Sequence, residues 1–263
     1  MAPPLMTWSP PRIPMPKAEL PSVQSFCDLH NHLLHGLDDG AKTLADSLEM
    51  GRALVSLGFT EVAPSPHARP EYASAALARA RLAEVQAAFD AAQLPLTLHL
   101  SAENSFLEPT LLPHAGTPEG RPIGAGPYLL VEAPYLDPVP ALPQIVFRLK
   151  LKGVTALIAH PERCAEFQRP GRAAEIVGGG ARLQLDVAAL MGRYGPVALK
   201  YARLFLDEGL YSVAATDLHS PVGAREWVGK AMEKLKAHVG DTRLVQLFAV
   251  NPRRVLNGEA LEL

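Results

Sequence analysis

Five times along this chain a short apolar run ends in an imidazole or a carboxylate. Phe26 to His30 leads into His32, and Val62 to Pro66 into His67. Leu98 to Ala102 leads into Glu103, Leu157 to Ala159 into His160, and Val213 to Thr216 into Asp217 and His219. In an extended strand residues i and i+2 point the same way, so His30 and His32 project together. Seven residues past His32, Asp39 adds a carboxylate where the chain turns at Gly40. Strands that all deliver polar groups at their C-terminal ends are what a barrel-like α/β domain needs, because its site is built at that rim.

Helical patterns separate the runs. Thr43 to Leu57 carries apolar residues at Leu44, Leu48, Leu54 and Leu57, with Thr43 placed as N-cap and Gly58 as stop. Further helices are predicted over 72–92, 140–152, 172–177, 197–208, 224–239 and 242–250, and a short helix with a loop over 106–126. Strands are predicted over 26–30, 59–63, 96–100, 128–132, 155–159, 182–186 and 211–215. Alternation of this kind implies parallel βα units. Seven of them, with no glycine-rich nucleotide loop, predict an α/β fold that closes as a distorted seven-stranded (β/α)7 barrel.

A chain of 263 residues can bury such a core as one domain, expected over 26–263. Residues 1–25 are rich in proline and have neither a basic start nor a long apolar span, so they read as an extended N-terminal arm rather than a signal peptide or membrane anchor. A formal charge of −2 gives no basic field for nucleic acid or an anionic membrane. The two cysteines, Cys27 and Cys164, form no disulfide framework and suit a reducing compartment, expected to be the cytoplasm.

The candidate ligands are His30, His32, Asp39, His67, Glu103, His160, Asp217 and His219, five imidazoles and three carboxylates. That is too many for one tetrahedral ion. Shared out, with a carboxylate such as Glu103 bridging, they suit two or three divalent ions, with zinc, manganese and iron all compatible with the donors. Such a cluster binds phosphoryl oxygens and brings a bridging water towards ionisation near neutral pH, and phosphoester hydrolysis is the reaction that most needs both.

The motifs that carry these residues resemble the PHP (polymerase and histidinol phosphatase) superfamily, and more closely its bacterial metal-dependent tyrosine-protein phosphatases linked to capsule and exopolysaccharide synthesis. They are Asp28-Leu29-His30-Asn31-His32, Asp38-Asp39-Gly40-Ala41-Lys42-Thr43, Pro66-His67, Ala102-Glu103, Ala159-His160-Pro161-Glu162-Arg163, Thr216-Asp217-Leu218-His219 and Asn251-Pro252-Arg253-Arg254-Val255-Leu256. The resemblance implies the PHP fold and up to three metal ions, manganese first, with iron or zinc as alternatives. It implies a tyrosine-phosphorylated protein as substrate, a bacterial tyrosine kinase tail of polysaccharide export being the expected partner, with metal-activated water attacking phosphorus. It also implies arginines at the site: Arg163 falls on such a position, Arg225 lies near a second although the segment 220–225 is out of register, and Arg69 is a third candidate to meet phosphate. Glu132 is expected to support the rim by hydrogen bonding. Asp186 stands where relatives are expected to carry Asn, and His35 where they carry Pro or a hydrophobe.

Two other readings share the residues. A histidinol-phosphatase-like enzyme would use the same ions on a small molecule, and a regulatory module would bind a phosphopeptide without turnover. A cysteine-dependent phosphatase does not fit, because Arg169 follows Cys164 by five positions instead of six and no histidine precedes the thiol. Oligomerisation is left open by the sequence.

Overall fold

The computed structural model describes residues 25–261. All but the last residue of the expected N-terminal arm lies outside them. Eight short strands, all parallel to their neighbours, alternate with helices: β1 (Phe26–Asp28), α1 (Leu44–Ser56), β2 (Phe59–Val62), α2 (Ala75–Ala91), β3 (Thr97–Leu98), β4 (Glu103–Ser105), α3 (Leu111–His114), β5 (Tyr128–Glu132), α4 (Leu142–Leu151), β6 (Thr155–Ala159), α5 (Arg172–Gly178), β7 (Arg182–Asp186), α6 (Gly195–Asp207), β8 (Tyr211–Ala215), α7 (Ala224–Val245) and α8 (Asn251–Leu256). The α/β expectation holds, and the single seven-stranded sheet does not. The strands form two sheets, β1-β2-β3 and β4-β5-β6-β7-β8.

The difference arises at one place. The strand predicted over 96–100 pairs with β2 only at Thr97 and Leu98, and the chain then passes through Ser101 and Ala102 to pair afresh, as β4, with β5. Single bridges span the two gaps between the sheets. Asn31 pairs with Leu218 on one side and His67 with Glu103 on the other. Backbone bonds from His32 N to Leu218 O and from Asp217 N to His30 O, both 2.8 Å, tie the first gap, and Ala68 N to Glu103 O, 2.8 Å, ties the second. Five candidate ligands therefore lie at these gaps.

β5 and β7 have no solvent-facing side: nearly every residue is buried, because helices cover one side and the opposite strands the other, and Gln184 and Asp186 of β7 turn toward the centre. Leu129 and Val131 join the large cluster beneath the helices, while Tyr128 and Leu130 join a smaller one with Leu29, Leu157, Ala159 and Val213. α1 starts where predicted. Thr43 accepts from Asp46 N at 3.2 Å and donates its own N–H to the Asp46 carboxylate at 2.9 Å, a reciprocal cap. The helices predicted over 224–239 and 242–250 run on as α7 with a break at Gly240, then a π-helical turn over Gln246–Val250. The Asn251-to-Leu256 motif forms α8 far from the polar rim. Asn251 donates to Ser212 O at 2.6 Å and Arg253 to Glu61 at 2.8 Å, so it locks the chain's end under β2 and β8. No helix among the described residues is long and apolar enough to cross a membrane.

Candidate metal centre

Strand ends, and the loops that leave them, carry every one of the eight predicted ligands to one place. His30 and His32 follow β1, Asp39 sits in the loop before α1, and His67 follows β2. Glu103 opens β4, His160 follows β6, and Asp217 and His219 follow β8. Their ligand atoms fall into overlapping groups whose members lie within 4.8 Å of one another: His32 with Asp39, His67 and His219; His30 with His32 and Asp217; His30 with Glu103 and His160. A fourth group joins His67 and Glu103 to Glu132. Burial is graded across the site. His30, His32, Glu103, His160 and Asp217 are enclosed, whereas the Asp39 side chain is 56% exposed and opens the site to solvent.

The imidazoles are oriented by partners on their far nitrogens. His30 Nδ1 lies 2.8 Å from Gln184 Oε1 and His32 Nδ1 2.7 Å from Asp38 Oδ2, so each Nδ1–H donates outward and leaves a bare Nε2 facing in. The two Nε2 atoms are 3.3 Å apart. Asp217 Oδ1 lies 3.1 Å from the first and 3.5 Å from the second, and Glu103 Oε2 3.3 and 3.5 Å. Four acceptors thus converge in a buried space, and Asp217 Oδ1, His67 Nδ1 and His160 Nδ1 have no hydrogen-bond partner. Only positive charge satisfies such a cluster, and its mix of imidazole and carboxylate donors fits divalent transition ions. Glu103 reaches His160 at 2.9 Å through one oxygen and His67 at 3.1 Å through the other, the placement a bridging carboxylate requires.

Electrostatics repeat this demand. Burial opposes a charged His30, yet Asp217 and Glu103 outweigh it and hold its pKa well above the ordinary range. Burial likewise opposes the Glu103 and Asp217 carboxylates, and His30, His32 and His160 together more than offset it and hold both well below theirs. His160 differs: burial and then Arg163 push it down to about 4, leaving a neutral imidazole. Behind the cluster, burial and then Asp217 lift Asp186 to about 7, and burial and then Asp186 lift Glu162 to about 8. Asp28, lifted by burial to about 6, accepts from Thr216 N and Oγ1 at 3.0 and 2.6 Å and clamps β1 to the end of β8. His160 and Asp217 both adopt left-handed backbone, φ 36° and 51°, an unfavourable conformation for these residues that the surrounding bonds enforce.

The three predicted arginines part company. Arg163 lies at the rim, 2.9 Å from Asp217 and 3.4 Å from Asp186, its guanidinium stacked between Tyr135 and Tyr194 at 4.5 and 4.0 Å from the ring centroids. Arg69 pairs with Glu132 beside His67, which accounts for the support expected of Glu132. Arg225 is exposed in the first turn of α7, lines a groove with Glu49 and Arg52 of α1, and makes no hydrogen bond or ion pair with the cluster. Gly223, at φ 64°, precedes α7, and Arg225 faces solvent on its first turn. His35 pairs with Arg81 and Glu84 of α2 instead of the centre. Four contributors were missed from sequence, namely Asp38, Gln184, Tyr135 and Tyr194. Asp38 alone carried a signal, as the neighbour of Asp39.

Parallel strands whose ends hold convergent histidines and carboxylates define an α/β protein built around a candidate multi-metal centre. Over residues 26–257 the chain matches the family described as "Capsular polysaccharide synthesis, CpsB/CapC", and it belongs to that family. It is 29% identical over 237 residues to the tyrosine-protein phosphatase YwqE of Bacillus subtilis, covering 89% of this chain and 92% of that one. It is 27% identical over 240 residues to the putative tyrosine-protein phosphatase CapC of Staphylococcus aureus, with the same coverage. Its fold is similar to a solved structure from work on YwqE of Bacillus subtilis and CpsB of Streptococcus pneumoniae, described as unique metal-dependent tyrosine phosphatases. That likeness has a TM-score of 0.82 at 25% identity and covers 90% of this chain and 96% of the other.

Proposed function

We propose that this chain is a metal-dependent protein-tyrosine phosphatase whose ions are held by His30, His32, Asp39, His67, Glu103, His160, Asp217 and His219. The observation that carries this reading is the convergence of all eight side chains, with Asp217 Oδ1 buried and unpartnered between two bare imidazole nitrogens, in a chain of a family whose relatives bear that name. When bound, the ions supply Lewis acidity and an ionisable water. The protein's own groups do the rest. Arg163, fixed by two carboxylates and two aromatic rings, offers N–H donors to the phosphoryl oxygens without needing to reorganise. Tyr135, partly exposed and 5.5 Å from the His160 ring, offers an aromatic face to the phenol. Phenolate is a good leaving group, so little acid assistance is required. Manganese is the expected ion, with iron or zinc as alternatives; a bacterial tyrosine kinase tail is the expected substrate, and the cytoplasm the expected compartment. The two sheets, bridged at both gaps, act as one distorted barrel.

The test is the initial rate of phosphate release from a phosphotyrosine peptide, a phosphoserine peptide and histidinol phosphate, in manganese and after chelation, with His160→Ala as control. Chelator-sensitive release from phosphotyrosine is expected, with His160→Ala losing metal and at least about a hundredfold in rate. Preference for histidinol phosphate would move the substrate class, turnover by metal-depleted His160→Ala would overturn the site, and tight phosphopeptide binding without turnover would favour the regulatory module.

A further inference from the structure

Beside the centre lies a cleft of about 380 Å³ that phosphate chemistry at the metal ions does not use. Its walls are shared with the site: Tyr72 stacks on the His67 ring at 5.3 Å, Arg69 follows His67 by two residues, and Asn104 and Ser105 continue β4 from Glu103. Arg121 lines the same cleft. It is only 6% exposed, and its Nε and Nη1 are buried without any hydrogen-bond partner. No carboxylate lies within ion-pair distance of it among the described residues. Glu108 and Glu119 also line the cleft, and neither pairs with Arg121. Burial, and then the like charge of Arg79, press its pKa down. Its backbone is left-handed as well, φ 49°. An enclosed guanidinium with free donors, no counter-ion and a strained backbone is costly to keep unless an anion visits it.

We infer that Arg121 and the cleft it lines form a flanking subsite that receives an acidic side chain of the substrate peptide while its phosphotyrosine occupies the metal centre. A guanidinium with unpaired N–H groups and no counter-ion can donate a charge-assisted hydrogen bond to a carboxylate oxygen that enters the cleft. The shared wall at Arg69 and Tyr72 makes the cleft a continuation of the centre, so one short peptide can occupy both. Selectivity then has a physical source outside the metal ligands: a neutral side chain in the cleft leaves Arg121 unpaired, whereas Asp or Glu satisfies it. This inference rests on the phosphatase reading for its substrate, though not for its geometry.

The experiment walks a single glutamate through the three positions on either side of phosphotyrosine in an otherwise alanine-flanked peptide. KM and, by fluorescence anisotropy, Kd are measured for the wild-type protein, Arg121→Gln and Arg121→Lys. The readout is the ratio between glutamate and alanine peptides, in which any general loss of activity cancels. At one position the wild-type ratio is expected to favour glutamate by about tenfold, the scale of a charge-assisted hydrogen bond. Arg121→Gln is expected to flatten it below twofold and Arg121→Lys to retain part of it. A flat wild-type series, or a preference that survives in Arg121→Gln, overturns the subsite; so does a flat series in which added sulfate alone raises the melting temperature, since the cleft would then take only a free oxyanion. If no peptide is hydrolysed, the phosphatase reading fails on its own, and the anisotropy ratios still decide the cleft. Should Arg121→Gln not fold, the wild-type series and Arg121→Lys decide it.

Discussion

His32 can serve an ion only through Nε2, because its Nδ1 is held 2.7 Å from Asp38. Asp38 is itself pinned, accepting from Gly40 N at 2.9 Å and His67 N at 3.0 Å, so one carboxylate fixes the ring of one ligand and the backbone of another. Asp38→Ala should therefore lower metal affinity by about 10–100-fold, as loss of such an outer partner typically does; equilibrium dialysis against manganese measures it, and an unchanged affinity would mean that packing alone holds the ring. A second expectation concerns Cys164, whose thiol donates to Ala133 O at 3.2 Å and is pushed well above the ordinary thiol range by burial and then by Glu162. A protonated, enclosed thiol is a poor nucleophile. Iodoacetamide should leave phosphatase activity intact where a chelator abolishes it, and inactivation by alkylation at Cys164 would reopen thiol chemistry. Seven of the eight polar side chains were legible in the sequence because they stand at or just past the end of an apolar run that had to be a strand, and Asp39 because it stands at the turn that follows the first of them. The groups that orient them were not, since Gln184 meets His30 from 154 positions away and Tyr135 and Tyr194 reach Arg163 from loops with no periodicity.

The loop from His32 to α1 is the element on which the exposed half of the centre depends. Its path is set by contact: a Cβ on Gly40 would lie 2.1 Å from His32 O and 2.4 Å from His32 Cβ, so only glycine lets the chain fold back over the histidine. Ala41 N then donates to His32 O at 3.0 Å, and the reciprocal cap at Thr43 and Asp46 starts α1 with Asp39 facing His67 and His219, each at 3.5 Å. Gly40→Ala should displace Asp39 and weaken the ion it shares with His67 and His219, leaving the buried groups around His30 in place. Metal analysis is expected to show a loss of less than the full complement, with activity reduced at least tenfold; complete retention of both would show that the loop yields without moving Asp39. Elements with strong periodicity, α1 and β5 to β8, were predicted to within a residue or two. The 96–100 segment was not, because long-range pairing keeps only Thr97 and Leu98 of it in β3 and opens a further strand, β4, beyond it at Glu103. The interruption expected between 239 and 242 is present at Gly240, whose φ of 80° and ψ of 170° are non-helical.

Across the whole molecule the centre lies on the two weakest lines of the sheet architecture. The strands are joined by continuous ladders within β1-β2-β3 and β4 to β8, but only by single bridges at Asn31–Leu218 and His67–Glu103. Candidate ligands flank both: His30, His32 and Asp217 at the first, His67 and Glu103 at the second. Bound ions would thus act as clips across both gaps, replacing hydrogen bonds that the sheets do not make. Without them the same bonds must be supplied by protons on buried histidines, a weaker solution because burial opposes each charge. Ligand linkage gives the scale: one site at a hundred times its Kd adds about 2.7 kcal/mol to the folded state. In a chain of this length that corresponds to roughly 5–10 °C in melting temperature. Calorimetry of the full chain in rising free manganese should show the midpoint climbing with the logarithm of concentration and falling on chelation, with far-UV dichroism unchanged at 25 °C because the ladders inside each sheet persist. A midpoint indifferent to manganese, zinc and iron would mean that the gaps are closed by the protein alone, and that the cluster holds its charge as protons.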